Sequence, residues 1–278
     1  MRIPAFCLIR LDSRLGWMKS ILTDPRLRCL PSGSPGGFAA QRATVLAKAL
    51  VKSCYELWHR RLLDDADSVP GPYRKRAIME LGSGPGIIRR LSPNVITSEV
   101  VHGVADTVAD GRRLPFHDAS VRASLLTNVS HHMPDVHASL RESCRVLARG
   151  GVIWMIQVTR TPFVRFCLSK AHPEPFDDRS KTWDSLEGHS MPDSNQALSW
   201  VVLFRDRATF GNTFPALRLE EHSYLPWLGH LLSGGFNFRS FVPRRLAPAV
   251  TAMDRALKPP DEVFAIHWHI KLREVAEG

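Results

Sequence analysis

A short apolar segment that runs directly into glycines constrains the fold of this chain more than any other feature. Residues 77–81 (AIMEL) are apolar enough for a buried strand, and Gly82, Gly84 and Gly86 follow at alternate positions. Glycines there let the backbone turn sharply and approach a ligand without Cβ clashes. The turn by itself is compatible with a dinucleotide site or an ordinary tight turn, but no Lys-Ser/Thr pair follows, which excludes a phosphate-binding P-loop. Glu80, at the end of the strand, favours a cationic or amino-bearing ligand over a pyrophosphate.

Apolar segments and helical patterns alternate beyond this turn, which is typical of a parallel sheet covered by helices. We expect strands at 77–81, 95–100, 104–109, 123–129 and 152–158, and closing strands at 217–224 and 263–274. Apolar residues at helical spacing predict helices from Pro134 to Leu147 and over 195–210. Gly150 and Gly151 are expected to end the first of these helices. The pattern indicates an α/β protein.

The composition divides the chain into regions. We expect an irregular N-terminal extension over 1–38, of which 1–17 precede a plausible second start at Met18. A single domain would then fill 39–278. Its expected parts are a helical cap (39–76, with one helix over 39–63), a ligand-binding core (77–158), a Pro/Asp/Ser/His-rich lid or insertion (159–195) and a substrate-side part with the closing strands (196–278).

A single acid and then three further motifs follow the glycine turn in a fixed order. Glu99 ends the second strand 19 residues after Glu80, where doubly wound folds place an acid on ribose hydroxyls. A solvated carboxylate is the alternative interpretation of Glu99. The remaining motifs are DGRRLPFHDAS (110–120), NVSHHMPD (128–135) and RVLARGG (145–151). Together with ExGSGxG they resemble class I S-adenosylmethionine-dependent methyltransferases of the type 11 branch, over about residues 77–158.

The resemblance implies a Rossmann-like class I fold, with a seven-stranded, mostly parallel sheet, an antiparallel last strand, helices on both faces and S-adenosyl-L-methionine as cofactor. The cofactor-binding positions that it implies are Glu80, Gly82, Ser83, Gly84, Gly86, Glu99, Asp110, Gly111, Asn128 and Val129. Glu80 and the glycine turn would hold the methionine and ribose, and Glu99 would accept hydrogen bonds from both ribose hydroxyls. Asp110 would accept from the adenine amino group. Asn128 and Val129 would face the sulfonium and the acceptor.

One departure from the family pattern lies after the glycine turn. Residues 87–93 leave room for barely two helical turns before Pro93, so the first crossover is short. The family pattern therefore predicts the residues around the cofactor less precisely over 87–93 than in the glycine turn itself.

Two adjacent histidines are the candidates for catalysis. The methyl group of the cofactor is already an activated electrophile, so the protein chiefly supplies positioning, but a hydroxyl acceptor must also lose a proton. His131 and His132 lie in the loop at the mouth of the site, and imidazole titrates nearest neutral pH. Packing within the loop is the alternative role for both. We expect no metal site at His131, His132, Asp135 and His137, because zinc spacing is absent and adjacent histidines do not easily point the same way.

The acceptor is suggested by weaker features. Residues 195–235 and the segment from Met18 are similar to methyltransferases encoded among cell-surface polysaccharide and glycolipid genes. Residues 223–238 carry no charge, and Arg239, Arg244 and Arg245 follow, which suits a lipid-linked acceptor or an anionic membrane surface, with a buried closing helix as the alternative. We expect O-methylation of a small-molecule or saccharide/glycolipid acceptor. The Asn-Pro-Pro-aromatic pattern is absent after Asn128, which argues against DNA adenine or protein glutamine.

Charge leaves further alternatives open. The net charge is +10, with basic residues dispersed rather than clustered, so a solvated basic surface and an RNA or other nucleic-acid methyltransferase are both compatible with it. No aromatic-interleaved basic stripe favours the nucleic acid. A non-catalytic binding subunit is disfavoured by the intact acids Glu80, Glu99 and Asp110. A dinucleotide-dependent oxidoreductase lacks its catalytic set here.

Cysteine usage and hydropathy suggest the compartment. The five cysteines are scattered and never in CxxC spacing, and no apolar run approaches the ~18–20 residues of a membrane span. We expect a cytoplasmic protein that can contact the inner membrane face peripherally.

Overall fold

A computed structural model describes residues 23–27, 33–67, 69, 71–171, 174–184, 194–256 and 260–275. Most of the expected N-terminal extension, including 1–17, lies outside these residues, as do positions 185–193 of the expected lid.

Seven strands form a single sheet in the described part of the chain, in the order β3-β2-β1-β4-β5-β7-β6. They are β1 (Ala77–Leu81), β2 (Ile96–Glu99), β3 (Thr107–Val108), β4 (Val121–Thr127), β5 (Leu147–Val158), β6 (Leu217–Tyr224) and β7 (His267–Glu274). The pairs among β1 to β5 are parallel, whereas β7 runs antiparallel to both β5 and β6. The predicted class I architecture is thereby confirmed. The carboxyl ends of β1, β2, β4 and β5 meet at one edge, which is where ligands bind in such sheets.

Four strands have boundaries that differ from the sequence prediction by more than one residue. β3 has two residues rather than six, because its partners Ser98 and Glu99 are the last residues of β2 and the ladder cannot continue. β4 ends at Thr127 because Asn128 has a φ of +55°, outside the extended region. β5 begins at Leu147, so Gly150 and Gly151 lie inside a strand and do not end the helix as expected. β7 begins at His267, because the first residues predicted for it, Val263 and Phe264, lie in a short helix instead.

Two helices replace the single one predicted over 39–63, namely α1 (Pro35–Ala47) and α2 (Ala49–Asp67). α1 begins earlier than expected because the Ser34 side chain accepts a hydrogen bond from the Gly37 N–H and Pro35 fits the first turn. Lys48 separates the two helices with an extended backbone. Its buried ammonium donates to the carbonyl oxygens of Gly235, Phe236 and Phe238. These distant acceptors fix Lys48 outside helical geometry.

The later helices are α3 (Val136–Val146), α4 (Pro162–Ala171), α5 (Leu198–Trp200), α6 (Arg207–Thr213), α7 (Leu228–Ser233), α8 (Ala247–Ala256) and α9 (Asp261–Phe264). The helix predicted over 195–210 is therefore interrupted. A π-helical turn, Val201–Arg205, joins α5 to α6, and the N–H of Asp206 donates to the carbonyl of Val201. The Asp206 carboxylate accepts from the indole N–H of Trp183 at 2.8 Å, which holds the turn against the 174–184 segment.

The two faces of the sheet carry separate cores. Ile153 and Met155 of β5 point into one, which includes residues of α3 and α5 and the buried Trp183. Trp154 and Ile156 point into the other, which packs against α2. This period of two along one strand confirms helices on both faces. Trp183 belongs to the segment 159–195, which was expected to be a lid. Part of that segment therefore packs into a core.

Candidate active site

The glycine turn after β1 has the backbone that its sequence predicts. Gly82, Gly84 and Gly86 all have positive φ, at +64°, +48° and +62°. A Cβ on Gly82 would lie 2.8 Å from the methyl carbons of Val129, so this glycine allows the turn to contact the loop after β4. A Cβ on Gly84 would lie 3.6 Å from the ring of Phe38, which packs over the turn from α1. Gly86 faces open space.

Ser83 and Glu99 connect the turn to β2. The Ser83 N–H donates to the Ser98 carbonyl at 2.8 Å, and the Ser83 hydroxyl donates to the Glu80 carbonyl at 3.1 Å. The Glu99 carboxylate is nearly buried and accepts from the N–H groups of Gly84 and Val100, each at 2.9 Å on a separate oxygen. A carboxylate oxygen has two lone pairs, so each can accept one further hydrogen bond. That capacity matches a ribose diol.

Glu80 is buried against α2. Its Oε1 lies 3.5 Å from Nε2 of His59, and no hydrogen-bond partner of Oε2 is found among the described residues. Burial raises the pKa of Glu80 to about 8 and lowers the pKa of His59 to about 4. Both groups are therefore neutral at pH 7, and the contact is not an ion pair. The sequence gives no signal for His59, because only the docking of α2 brings it to β1.

Asp110 and Gly111 occupy the loop after β3. The Asp110 carboxylate is half exposed and accepts from the backbone and guanidinium N–H groups of Arg112, at 2.6–3.1 Å. A Cβ on Gly111 would lie 3.3 Å from the Ser139 hydroxyl, so Gly111 is close-packed on α3. The structure brings both to the edge beside Glu99 and Ala109, but Arg112 already engages the carboxylate predicted to meet adenine.

Asn128 adopts a left-handed backbone at the point where β4 ends. Its φ of +55° is uncommon for a residue with a side chain, and its N–H donates to the Ile156 carbonyl at 2.8 Å. Its Nδ2 lies 3.4 Å from Nε2 of His267 on β7, and its Oδ1 is buried with no partner found in the described chain. Strained backbone of this kind clusters at functional sites. Val129 follows and packs on Gly82.

His131 lies in a buried polar cluster, which comprises His131, His132, Gln157, Glu174 and Gln196. The His131 Nδ1 lies 3.4 Å from Oε1 of Gln157, at the end of β5. Its Nε2 lies 3.1 Å from Nε2 of Gln196 and 3.4 Å from Oε2 of Glu174. The Gln196 amide also contacts Glu174. Sequence reasoning missed Glu174, Gln157 and Gln196, because they come from three separate segments without a shared motif.

The side chains of the two adjacent histidines lie together, although neighbouring residues were not expected to point the same way. A short 3-10 turn over Ser130–His132 places the two adjacent imidazoles on the same side, with ring centroids 4.2 Å apart. Asp135 and His137 have other roles, since Asp135 caps α3 through the Ala138 N–H and His137 stacks on Trp183.

The stretch from 80 to 155 matches a family model described as a methyltransferase domain. No curated protein matches the chain. Solved structures with a similar fold include a geranyl diphosphate C-methyltransferase from Streptomyces coelicolor A3(2), in complex with Mg2+, geranyl-S-thiolodiphosphate and S-adenosyl-L-homocysteine (17% identity, 95% of this chain and 92% of that chain, TM-score 0.48). Others are a SAM-dependent methyltransferase from Archaeoglobus fulgidus (10%, 79% and 94%, 0.48) and the YcgJ protein from Bacillus subtilis (15%, 79% and 100%, 0.45).

None of the helices in the described ranges is long and apolar enough to cross a membrane. The sheet order, the glycine turn and the family match all indicate the same kind of domain. The chain contains a class I methyltransferase domain of the type 11 branch, an enzyme domain whose cofactor is S-adenosyl-L-methionine.

Proposed function

We propose that the protein transfers the cofactor's methyl group to a hydroxyl oxygen of a small-molecule or saccharide acceptor, including lipid-linked saccharides. The observation that carries the proposal is the buried polar cluster around His131. It lies where β4 and β5 end, beside the loops that would hold the cofactor. A hydroxyl acceptor must lose a proton, and two imidazoles with a buried carboxylate provide groups that can take it.

The residues present fit the cofactor. Glu99 has acceptor capacity for a ribose diol, and the turn from Gly82 to Gly86 has the backbone geometry of a cofactor loop. Glu80, with an unpartnered oxygen, is suited to an ammonium group. When bound, S-adenosyl-L-methionine supplies a methyl group on a positively charged sulfur, which is already activated for transfer.

The chain's own residues then orient the acceptor and exclude water. Asn128, held in its left-handed conformation, presents an amide between the glycine turn and β7. Gln157 and Gln196 fix the imidazole plane of His131, so that a proton taken from the acceptor would arrive at a defined nitrogen. His132 is more accessible than His131 and lies closer to solvent, where the proton can leave.

A surface beside α8 supports a lipid-linked acceptor. Phe241, Leu246 and Met253 are exposed large apolar side chains, and Arg244 and Arg245 lie among them. An apolar surface with basic residues binds the interface of an anionic membrane. We propose that the protein acts in the cytoplasm and that this surface makes peripheral contact with the inner membrane face.

The proposal is tested in two steps. Calorimetric titration with S-adenosylmethionine and S-adenosylhomocysteine, with NAD as control, measures cofactor binding. Methyl transfer is then measured with labelled donor against sugars, lipid-linked saccharides, small hydroxyl compounds and RNA, and the product is analysed by mass spectrometry for the methylated atom. A methyl ether on a saccharide or small hydroxyl compound supports the proposal. Transfer to RNA, to carbon or to nitrogen overturns it, and so does cofactor binding without turnover of any acceptor.

A further inference from the structure

Three side chains of the buried polar cluster are arranged as metal ligands. One ligand atom each from His131, His132 and Glu174 lies within 4.8 Å of the other two. His131 and Glu174 are only 3% and 4% exposed, whereas His132 is partly open to solvent. Two imidazole nitrogens and one carboxylate oxygen form a common ligand set for Zn2+ and related divalent transition metals. Three protein ligands leave a coordination position open, which distinguishes a catalytic site from a structural one.

The shell around these side chains gives a second, independent observation. Ser130 Oγ, Gln157 Nε2 and Gln196 Oε1 are buried, and no hydrogen-bond partner is found for them among the described residues. All three residues are more than nine-tenths buried. Buried polar atoms are normally satisfied, so the orphans on Gln157 and Gln196, whose other amide atoms contact the His131 imidazole, indicate a ligand that they are built to meet.

The orientation of His131 also suits a metal. Its Nδ1 faces Oε1 of Gln157 at 3.4 Å, so the proton belongs on Nδ1 and the lone pair on Nε2. Metal-bound histidines almost always donate the second ring N–H to such an oxygen. Nε2 points towards Glu174 Oε2, 3.4 Å away.

Gln196 contacts two of the three proposed ligand residues. Its amide nitrogen contacts both Nε2 of His131 and Oε2 of Glu174, and thereby bridges two of the ligand atoms. Rotation of the amide plane exchanges this nitrogen with Oε1, which is an oxygen donor. Gln196 can therefore satisfy the ligands without a metal and follow them when one binds.

We propose that His131, His132 and Glu174 bind one divalent transition metal ion of the zinc, manganese or cobalt class, with the open position taken by the acceptor hydroxyl. The inference rests on the proposed function for the identity of that ligand, and it makes the histidines metal ligands rather than free bases. The acceptor hydroxyl bound at the open position has a lowered pKa and gives its proton to solvent. Its oxygen then forms a bond to the methyl carbon, the carbon–sulfur bond breaks, and the electron pair stays on sulfur in S-adenosylhomocysteine.

The test is metal binding by the purified full-length chain, separately from activity. After chelator treatment, Zn2+ and Mn2+ are titrated calorimetrically, and Co2+ is followed by its visible absorption, which reports coordination geometry. We expect one ion per chain, with affinity lowered at least tenfold in His131→Ala and in the nearly isosteric Glu174→Gln. His102→Ala removes an exposed histidine outside the cluster and is the matched control, with unchanged affinity. Circular dichroism confirms that the variants fold.

Two results would overturn the inference. One is the absence of stoichiometric binding in the wild type, and the other is equal affinity in the wild type and both cluster variants. The outcomes remain distinct from those of the proposed function. Methyl transfer that persists after complete metal removal contradicts only the role given to the metal in activating the acceptor, and leaves both metal binding and O-methylation in place. Stoichiometric metal binding that depends on Glu174, without methyl transfer to any hydroxyl compound, supports the metal site and overturns the proposal of a hydroxyl acceptor.

Discussion

Glu80 Oε1 lies 3.5 Å from Nε2 of His59, and both side chains are sealed between β1 and α2. Neither imidazole nitrogen of His59 has a hydrogen-bond partner in the described chain. Burial holds the carboxyl protonated and the imidazole neutral, so the Glu80 end of a site predicted to bind a cationic cofactor is uncharged before the cofactor arrives.

Cofactor binding should therefore release a proton from Glu80. The pKa of about 8 keeps the carboxyl neutral at pH 7, and the ammonium of the cofactor favours the carboxylate. We expect affinity to rise towards pH 8 by up to about tenfold per pH unit. Calorimetry at pH 7 in buffers with different ionisation enthalpies measures the proton directly. Glu80→Gln should lose the buffer dependence, and heats that are the same in every buffer for the wild type would remove Glu80 from the linkage.

The same carboxyl should lower stability at alkaline pH. Its pKa is raised from 4.5 in the unfolded chain to about 8 in the folded one, so its favourable contribution is complete below 4.5 and is lost as pH rises to 8. Without cofactor, Glu80→Gln should raise the free energy of unfolding at pH 8.5 by roughly 1–3 kcal/mol. Urea unfolding at pH 5 and 8.5 checks this. A variant that is no more stable than wild type at pH 8.5 would contradict it.

Three buried histidines and the half-buried His230 should lower stability at acidic pH, the opposite direction from Glu80. Burial lowers the pKa of His59 and His230 to about 4, that of His269 to about 3, and that of His267 well below its ordinary value. Their contribution is complete above pH 6.5 and is lost as pH falls towards these values. Each proton adds about 1.4 kcal/mol per pH unit to the slope, and four outweigh the single opposing Glu80.

Unfolding titrations between pH 7 and 5 measure that slope. His269→Phe keeps a ring stacked on Trp154, whose present ring centroid is 4.3 Å from that of His269. This variant should reduce the slope by about one proton. His102→Ala, at an exposed position, is the comparison variant with the wild-type slope. A wild-type stability that does not fall between pH 7 and 5 would refute the expectation.

Glu99→Ala should weaken binding of S-adenosylhomocysteine by about 1–3 kcal/mol. The variant loses the predicted acceptor of the ribose hydroxyls and the hydrogen bond to the Gly84 N–H, which is 2.9 Å long. Calorimetry provides the affinity, and the melting temperature without ligand separates binding from folding. Unchanged affinity in a folded variant would exclude Glu99 from the site.

Gly82→Ala and Gly86→Ala should differ although both have positive φ. The left-handed backbone costs each variant about 1–2 kcal/mol, but only at Gly82 does the new Cβ meet Val129, at 2.8 Å. Gly82→Ala should therefore be the less stable variant. Adding Val129→Ala to Gly82→Ala should recover part of the lost stability. Denaturant unfolding of the two single variants and this double variant measures their free energies of unfolding. Equal effects at the two glycines, or no recovery, would show that the contact with Val129 is unimportant.

Local patterns were sufficient for the sheet but not for every residue of the site. The β1 strand with its glycine turn, Glu99 and β6 were all predictable, because period-two hydropathy and glycine chemistry act over a few residues. His59 and Glu174 were not, since one reaches Glu80 through helix docking and the other reaches His131 from beyond α4. The break at Lys48 was equally hidden, because its carbonyl acceptors lie 187–190 positions further along the chain.

The Lys48 contacts also bear on the order in which the protein assembles during synthesis. The ammonium enters the interior only when the carbonyls of residues 235–238 are present to receive it, and its carboxylate neighbour, Asp24, lies 3.5 Å away. A ribosome releases the two N-terminal helices long before those residues. The Lys48 contacts must therefore wait until nearly the whole chain has emerged, and the long separation between partners is typical of slow-forming contacts.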